Sequence, residues 1–211
     1  MRRRDRRGVR LIYLASRSPR RRELLQQIGV RYEPLLFREG ARADADTDES
    51  VLPGEKPDDY VRRVTLLKCN AAWNRVTQRR GLQRKPVLAA DTTVELDGAI
   101  LGKPADPPDA TRMLGILSGS CHRVLTAVAL QLEGRVELAV SESRVTFARL
   151  DAERIAAYVA SGEPFDKAGA YGIQGRAAAF IERLEGSYTG VMGLPLYETA
   201  NLPRLFGVMV P

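Results

Sequence analysis

Apolar and polar positions alternate along this chain with two periods, and the alternation predicts strands separated by helices. The apolar run Leu11–Ala15 is followed by Ser18 and Pro19, then by apolar positions at helical spacing as far as Gly29. Ser favours the N-cap, Pro the first helical residue and Gly the end of a helix. We therefore predict a strand that leads into a short amphipathic helix, with a buried face formed by Leu24, Leu25 and Ile28.

The same two periods predict the elements that follow. Strands are expected over 32–37, 86–90, 92–96, 99–101, 122–132, 136–148 and 178–184, and helices from 58, from 107, from Asp151 and after Pro195. Asp97-Gly98 and Glu133-Gly134-Arg135 are expected to be hairpin turns, and the polar segment 38–57 a long loop. Because helices alternate with strands and the long hairpin is antiparallel, we predict an α/β fold with a mixed, twisted sheet and flanking helices.

Length and charge fit one folded unit preceded by a basic tail. A chain of 211 residues, of which 44% are hydrophobic and 28% charged, is typical of a soluble globular protein with one sizeable core. Residues 1–10 hold six arginines and one aspartate, so they carry most of the net charge of +7. Since the rest is nearly balanced, we predict a basic tail over 1–10, one domain over 11–211 and no specific nucleic-acid partner.

Secretion and membrane insertion are both disfavoured. The apolar run after the tail is too short for a signal peptide, and no stretch approaches the length of a membrane span. Cys69 and Cys121 lack a Cys-x-x-Cys partner, so we interpret them as reduced cysteines and not as zinc ligands. We expect a cytoplasmic protein with no membrane partner, and the sequence leaves a homodimer open.

The segment Ser16–Arg22 is the first candidate for chemistry. Three arginines stand at the amino end of the predicted helix, where unpaired N–H groups and the helix dipole favour an anion. The Gly-x-x-x-x-Gly-Lys spacing of a Walker A loop is absent. The segment favours polyphosphate binding, and its alternative is a capped surface helix with solvated arginines.

Asp91 and two lysines are the next candidates. Asp91 follows an apolar strand, at the position where open α/β sheets place ligands, and its carboxylate suits Mg²⁺ or proton transfer from water. The alternative is a turn aspartate. Thr92 would direct its hydroxyl into the same cleft, while Lys68 and Lys103 either neutralise phosphate charge or are solvated.

Three further features bear on the chemistry. The acidic segment from Asp44 to Glu49 supplies candidate metal ligands or forms a solvated loop. The glycines of Asp166–Gly175 would let backbone approach a ligand, with Gln174 placed to bond a base edge, or would form a tight loop on the core. His122 is the only histidine, which disfavours a Ser-His-Asp triad and favours a structural role.

Taken together, these stretches resemble the Maf family of nucleoside triphosphate pyrophosphatases, also called septum formation inhibitor proteins. The resemblance covers about residues 11–202 in order. The pieces that carry it are Leu14–Arg21 with Glu23-Leu24-Leu25, Ala90-Asp91-Thr92, Leu101-Gly102-Lys103-Pro104, Met113-Leu114, Leu117-Ser118-Gly119, His122 with Thr126-Ala127-Val128, Asp166–Gly175, Gly186-Ser187-Tyr188, and Gly193-Leu194-Pro195-Leu196 with Glu198-Thr199.

The resemblance implies a fold of the inosine-triphosphatase-like type, with two lobes around a cleft. It also implies an enzyme that uses Mg²⁺ or Mn²⁺ to hydrolyse the bond between the α- and β-phosphates of a nucleotide. By position, the catalytic residues would be Asp91, Lys68, Lys103 and Glu49, with Asp91 and Glu49 holding the metal. The substrate-binding residues would be Ser16, Arg20, Arg21, Thr92 and Gln174.

Within the family, three features resemble the branch that acts on dTTP and UTP: Arg20-Arg21 after Ser-Pro, Thr92 after Asp91, and Gln174 in its glycine-rich motif. One alternative is the same reaction on 7-methyl-GTP or another modified purine nucleotide. An alternative of another class is a non-catalytic division regulator that binds nucleotide or nucleic acid. Residues 38–48 look irregular for the family.

Overall fold

A computed structural model describes residues 11–35 and 48–206 of the chain. The predicted basic tail, the first half of the predicted 38–57 loop, and Asp44 and Asp46 lie outside these ranges. The strands are β1 (Leu11–Leu14), β2 (Arg31–Pro34), β3 (Val87–Leu96), β4 (Ala99–Leu101), β5 (Cys121–Leu132), β6 (Arg135–Phe147) and β7 (Ile181–Glu185). The α-helices are α1 (Pro19–Gln27), α2 (Pro57–Gln78), α3 (Pro107–Leu117), α4 (Ala152–Ala160), α5 (Tyr188–Val191) and α6 (Leu196–Leu205).

The strands form one mixed sheet in the order β2-β1-β3-β5-β6-β7, with β4 also paired to β3. β1 runs parallel to both β2 and β3, because α1 and then α2 return the chain to the same end of the sheet. The pairs that follow from β3 to β7 are antiparallel. The predicted mixed α/β fold is confirmed.

One edge of β3 is interrupted, and the interruption opens a gap in the sheet. Along its other edge β3 pairs with β5 from Val87 to Glu95. On the interrupted edge β1 pairs only with Val87 and Leu88, and β4 pairs only with Val94 to Leu96. Residues 89–93 therefore have a strand neighbour on one side only, within the described part of the chain.

Strand alternation divides the core between the two faces of the sheet. Val87 and Ala89 pack on α2 with Cys69 and Trp73. On the opposite face, one apolar cluster packs the start of β3 against α1 and α6, and a second packs its end against α3 and α4. The first cluster includes Leu88, Ala90, Val128, Leu24, Leu25 and Leu202; the second includes Val94, Val124, Met113, Leu114, Ile155 and Phe147.

The turns agree with the sequence. Asp97 and Gly98 have φ of 50° and 83°, the left-handed pair required by a two-residue type I′ hairpin, and Glu133 and Gly134 repeat this with 50° and 81°. Gly119 ends α3 at a φ of 67°, as predicted for the glycine after that helix.

Three predictions about elements are wrong. Asp91 does not end its strand: β3 continues to Leu96, because hydrogen bonding to β5 carries it past the apolar run. The strand predicted from Ala178 begins only at Ile181, after a 3-10 helix that buries Ala177 and Phe180 at that helix's three-residue repeat. Ile28 lies after α1 as its C-cap residue, although its side chain still packs against the core.

A search of the described helices finds none that is both long and apolar enough to cross a membrane.

Two glycine substitutions should change stability in opposite directions. Gly186 has a φ of +112°, and a Cβ there would lie 2.8 Å from the Glu142 carbonyl oxygen, so Gly186→Ala should destabilise the fold by about 1–3 kcal/mol. Gly115 lies inside α3 with nothing within 4 Å of its Cβ position, so Gly115→Ala should stabilise it by about 0.5–1 kcal/mol. Urea unfolding measures the free energy of unfolding of both variants. A change of the same sign in both would contradict the prediction.

Candidate functional site

A single cavity of about 1180 Å³ lies beside the interrupted edge of β3. Its lining brings together all nine residues predicted for the site, from six separate segments of the chain. They are Ser16, Arg20, Arg21, Glu49, Lys68, Asp91, Thr92, Lys103 and Gln174. The volume lies slightly above the range of about 300–1,000 Å³ that is usual for small-molecule pockets, so the cavity has room for a whole small-molecule ligand.

A lysine joined to two carboxylates occupies one wall. The Lys68 ammonium, near the middle of α2, lies 2.6 Å from Asp91 Oδ1 and 2.9 Å from Glu49 Oε2. The side chain of Asp91 is 13% exposed and that of Glu49 is 47% exposed, so Glu49 forms the outer lip of this centre. Asp91 faces α2 because it shares the pleat of Ala89.

The opposite wall is built on Arg21 of α1. Its guanidinium donates from Nε to the Gly193 carbonyl at 2.7 Å, and to Ser16 Oγ at 3.2 Å and Thr92 Oγ1 at 3.4 Å. Burial lowers the pKa of Arg21, partly offset by the charge of Asp91. Ser16 Oγ also accepts from the Ser18 amide, so its own proton remains available as a donor towards the cavity.

The Thr92 hydroxyl belongs to a directed hydrogen-bond chain. Thr92 and Thr126 are register partners on β3 and β5, and their oxygens lie 3.0 Å apart. Thr126 donates to the Gly190 carbonyl at 2.7 Å, which uses its single proton. Thr92 therefore donates to Thr126 and accepts from Arg21, so its hydroxyl holds Arg21 in place.

The amino end of α1 completes this wall. Ser18 occupies the N-cap position as predicted, but its side chain makes no capping bond. With Pro19 at the first helical position, the backbone N–H groups of Arg20 and Arg21 are left uncapped next to the cavity. This end of the helix offers both donors and positive dipole charge to an anion.

Arg20 faces the 3-10 segment that follows α4. Its guanidinium lies 3.7 Å from Asp166 Oδ2, and the Asp166 carboxylate also pairs with Lys167. Lys167 in turn donates to the Glu163 carbonyl at 2.6 Å. The contact of Arg20 is looser than any contact of Arg21, so Arg20 is the more easily recruited by a ligand.

The glycine-rich segment is tightly packed against protein groups. A Cβ would lie 2.8 Å from Val94 at Gly169, 2.7 Å from Lys167 at Gly172 and 2.0 Å from Glu163 at Gly175. The space where the Cβ atoms would lie is filled by protein side chains, which favours the tight loop packed on the core that the sequence left as the alternative. The segment still lines the cavity, where Gln174 is exposed and its amide is turned to no described partner.

Lys103 lies on the rim of the same cavity. It follows β4, and the Gly169 amide bonds the Gly102 carbonyl at 3.0 Å, which ties the loop to the glycine-rich segment. Lys103 is exposed and has no ion-pair partner among residues 11–35 and 48–206. Its ammonium is free for an anionic ligand.

His122 is buried behind the cavity. Its Nε2 lies 2.8 Å from the hydroxyl of Tyr171, which lines the cavity, and its ring packs edge-on against Phe147. Burial lowers the pKa of His122 to about 4. These contacts agree with the structural role predicted for it.

Sequence reasoning missed several groups that shape the cavity. Tyr60 lines it from α2, Gly193 supplies the carbonyl that orients Arg21, and Thr126 anchors Thr92. Tyr60 has the spacing of an ordinary helix core position, so the pattern holds no signal for it. Thr126 belongs to a motif that was recognised, but its bond to Thr92 joins two different strands. Gly193 belongs to a motif that was recognised, but its contact with Arg21 spans most of the chain.

Asp91 and Glu49 both contact the Lys68 ammonium, which brings the two carboxylates predicted as metal ligands to one place. Within the described ranges, no cluster of three or more His, Cys, Asp or Glu side chains has the arrangement of a metal site. The donor set is therefore a pair of oxygen ligands with open coordination positions, which suits Mg²⁺ better than Zn²⁺.

The whole described chain is similar to known proteins. The family model described as "Maf-like protein" matches residues 11–205. The dTTP/UTP pyrophosphatase of Dechloromonas aromatica is 55% identical over 93% of this chain and 97% of that protein. Those of Aromatoleum aromaticum and Cupriavidus pinatubonensis are 59% and 60% identical, over 93% and 92% of this chain and 95% of each relative.

Among solved structures, the Ham1 protein of Staphylococcus aureus aligns over 65% of this chain and 72% of that chain. The sequence identity is 17% and the TM-score 0.44, and the fold assignment does not rest on it.

The buried His122 should make stability fall in acid. Its pKa is about 4 when folded and near 6.5 when unfolded, so the unfolded state binds more protons between these values. The free energy of unfolding should be unaffected above pH 6.5 and drop by up to about 3 kcal/mol as the pH falls to 4. His122→Gln keeps a hydrogen-bond partner for Tyr171 but has no imidazole to protonate, so its free energy of unfolding should not show this fall. Free energies of unfolding that change in parallel with pH in the variant and the parent would contradict the prediction.

Proposed function

The chain belongs to the Maf-like protein family, and on that premise we propose that it is a nucleoside triphosphate pyrophosphatase. It would hydrolyse the bond between the α- and β-phosphates of dTTP and UTP, and release a monophosphate and pyrophosphate. The observation that carries the proposal is the cavity with a lysine–carboxylate centre on one wall and Arg21 with the open end of α1 on the other. Its lining holds six cationic side chains against four carboxylates, which favours a polyanion.

Asp91 and Glu49 would hold a divalent cation, Mg²⁺ or Mn²⁺, together with the phosphates of the substrate. Two carboxylates and an open, solvent-facing lip fit Mg²⁺, which keeps several waters and takes substrate oxygens as ligands. When bound, the metal supplies positive charge to the phosphate oxygens at the reacting bond.

Asp91 is the group best placed to accept a proton from the attacking water. Its Oδ1 is bonded to Lys68, which leaves Oδ2 as the accepting oxygen. Lys68 holds that carboxylate in place and presents positive charge beside it. Arg20, Lys103 and the N–H groups of α1 would stabilise the charge that builds on the departing pyrophosphate.

Selection of the base would involve Gln174, Thr92 and Arg20. Gln174 is exposed within the cavity and its amide offers both a donor and an acceptor, as required to bond a pyrimidine edge. Because the Thr92 hydroxyl is committed to Thr126 and Arg21, its contribution would be to fix the position of Arg21.

A substrate panel tests the proposed reaction directly. Release of pyrophosphate from dTTP, UTP, CTP, 7-methyl-GTP and ITP is measured at fixed enzyme concentration across a titration of Mg²⁺ and of Mn²⁺. We expect the highest kcat/KM for dTTP and UTP. A preference for 7-methyl-GTP or ITP would overturn the choice of base, and tight binding without any release would favour a non-catalytic nucleotide-binding protein.

Replacement of Asp91 should abolish most of the activity. Asp91→Asn keeps the size of the side chain but removes the proton acceptor and one metal ligand, so kcat should fall by about 10²–10⁴-fold. Asp97→Asn, the same change in the exposed turn of the β3–β4 hairpin, is the matched control and should keep full activity. Near-normal turnover by folded Asp91→Asn, judged by its thermal midpoint, would refute the role.

A further inference from the structure

We propose that Arg63, which lies outside the cavity lining, is a positioning residue for Glu49. It acts with Tyr60 and Glu55 on the backbone of residues 48–50, and so holds the Glu49 carboxylate at the Lys68–Asp91 centre. The inference rests on the proposed function for its catalytic consequence, and on contacts alone for its structural part.

Three consecutive carbonyl groups are bound by donors from one helix. Arg63 donates from NH1 to the Asp48 carbonyl at 3.2 Å and from NH2 to the Ser50 carbonyl at 2.8 Å. Tyr60, on the same helix, donates its hydroxyl to the Glu49 carbonyl at 3.0 Å. These bonds hold the backbone on both sides of Glu49.

Glu55 fixes the orientation of the arginine. Its Oε1 lies 2.6 Å from Arg63 Nε and its Oε2 2.8 Å from NH2, the paired geometry that a planar guanidinium makes with a carboxylate. Glu55 Oε2 also accepts from the Leu52 amide at 3.0 Å, and its side chain is only 8% exposed. We call Tyr60, Arg63 and Glu55 the backbone clamp.

The clamp restricts the position of Glu49 more than the contacts of its own side chain do. Its side chain is 47% exposed, and among the described residues it makes one ion pair, with Lys68, and no hydrogen bond to any other side chain. An exposed ion pair contributes about 0–1 kcal/mol, too little to hold a flexible side chain in one place. Residues 50–54 are exposed and outside any helix or strand, so the clamp is what ties this segment to α2.

The same helix sets both ends of the contact. Lys68 lies on α2, five residues beyond Arg63 and eight beyond Tyr60. The helix α2 packs on β3. Because the backbone of residues 48–50 is bonded to the first turns of this helix, Glu49 is held close to Lys68, which lies farther along the same helix. Losing the clamp would free Glu49 while leaving Lys68 and Asp91 in contact.

A double-mutant cycle tests the inference. Arg63→Met removes all the donors and keeps the length of the side chain, and Arg62→Met changes an exposed arginine one position away as the control. With dTTP we expect Arg63→Met to lower kcat/KM by about 10- to 100-fold. It should also raise the Mg²⁺ concentration needed for half the maximal rate. Arg63→Lys should give values of both quantities between those of Arg63→Met and the parent. Arg62→Met should match the parent.

The cycle is closed with Glu49→Gln. If the clamp acts through Glu49, adding Arg63→Met to Glu49→Gln should change kcat/KM by less than about twofold, because the group it positions is already lost. An equal loss in both backgrounds would show a general structural effect and overturn the inference.

Hydrogen exchange decides the structural part without any activity. The Ser50 and Leu52 amides, bonded to Asp48 and Glu55, should exchange about tenfold faster in Arg63→Met than in the parent or in Arg62→Met. Unchanged exchange would refute the clamp. A parent that releases no pyrophosphate would instead refute the proposed function, and the exchange result would still decide whether Arg63 orders the segment.

Discussion

The site depends on the interrupted edge of β3. Because β5 pairs with this strand from Val87 to Glu95, the strand continues where its other neighbours stop, between the last β1 partner, Leu88, and the first β4 partner, Val94. In that gap the pleat sends Asp91 towards α2 and Thr92 towards α1. Two successive residues thus place an anionic centre and an arginine anchor on opposite sides of one opening.

A chain of hydrogen bonds crosses the gap through Arg21, Thr92 and Thr126. The two threonines lie between the two apolar clusters of the same face, and Thr126 is fully buried there. A buried hydroxyl group without a hydrogen-bond partner costs folding free energy. In this chain of hydrogen bonds each donor has an acceptor, from Arg21 through Thr92 and Thr126 to the Gly190 carbonyl. These hydrogen bonds link α1 to the segment around α5. No pattern in the sequence relates these two segments.

Local signals in the sequence predicted what depends on local physics. The hairpin at Asp97-Gly98 follows from residues that accept a positive φ, and the strands from their period. The end of β3 was misplaced because apolar composition stops at Asp91, whereas the strand is continued by pairing with the distant β5. The clamp was missed for the same reason: Arg63 looks like any polar helix position until Glu55 and the 48–50 carbonyls fold against it.

The two walls have different rigidity, and this bears on which ligand suits them. Arg21 is fixed by three acceptors and α1 is anchored by Leu24 and Leu25 in the core. Glu49 reaches the other wall from an exposed segment whose carbonyl groups are bound to α2 by side-chain donors. A ligand that bridges both walls must carry negative charge along several bonds, so that one part meets the preformed arginine wall while another completes the carboxylate centre. A triphosphate carries negative charge along several bonds, whereas a monophosphate carries it at one end only.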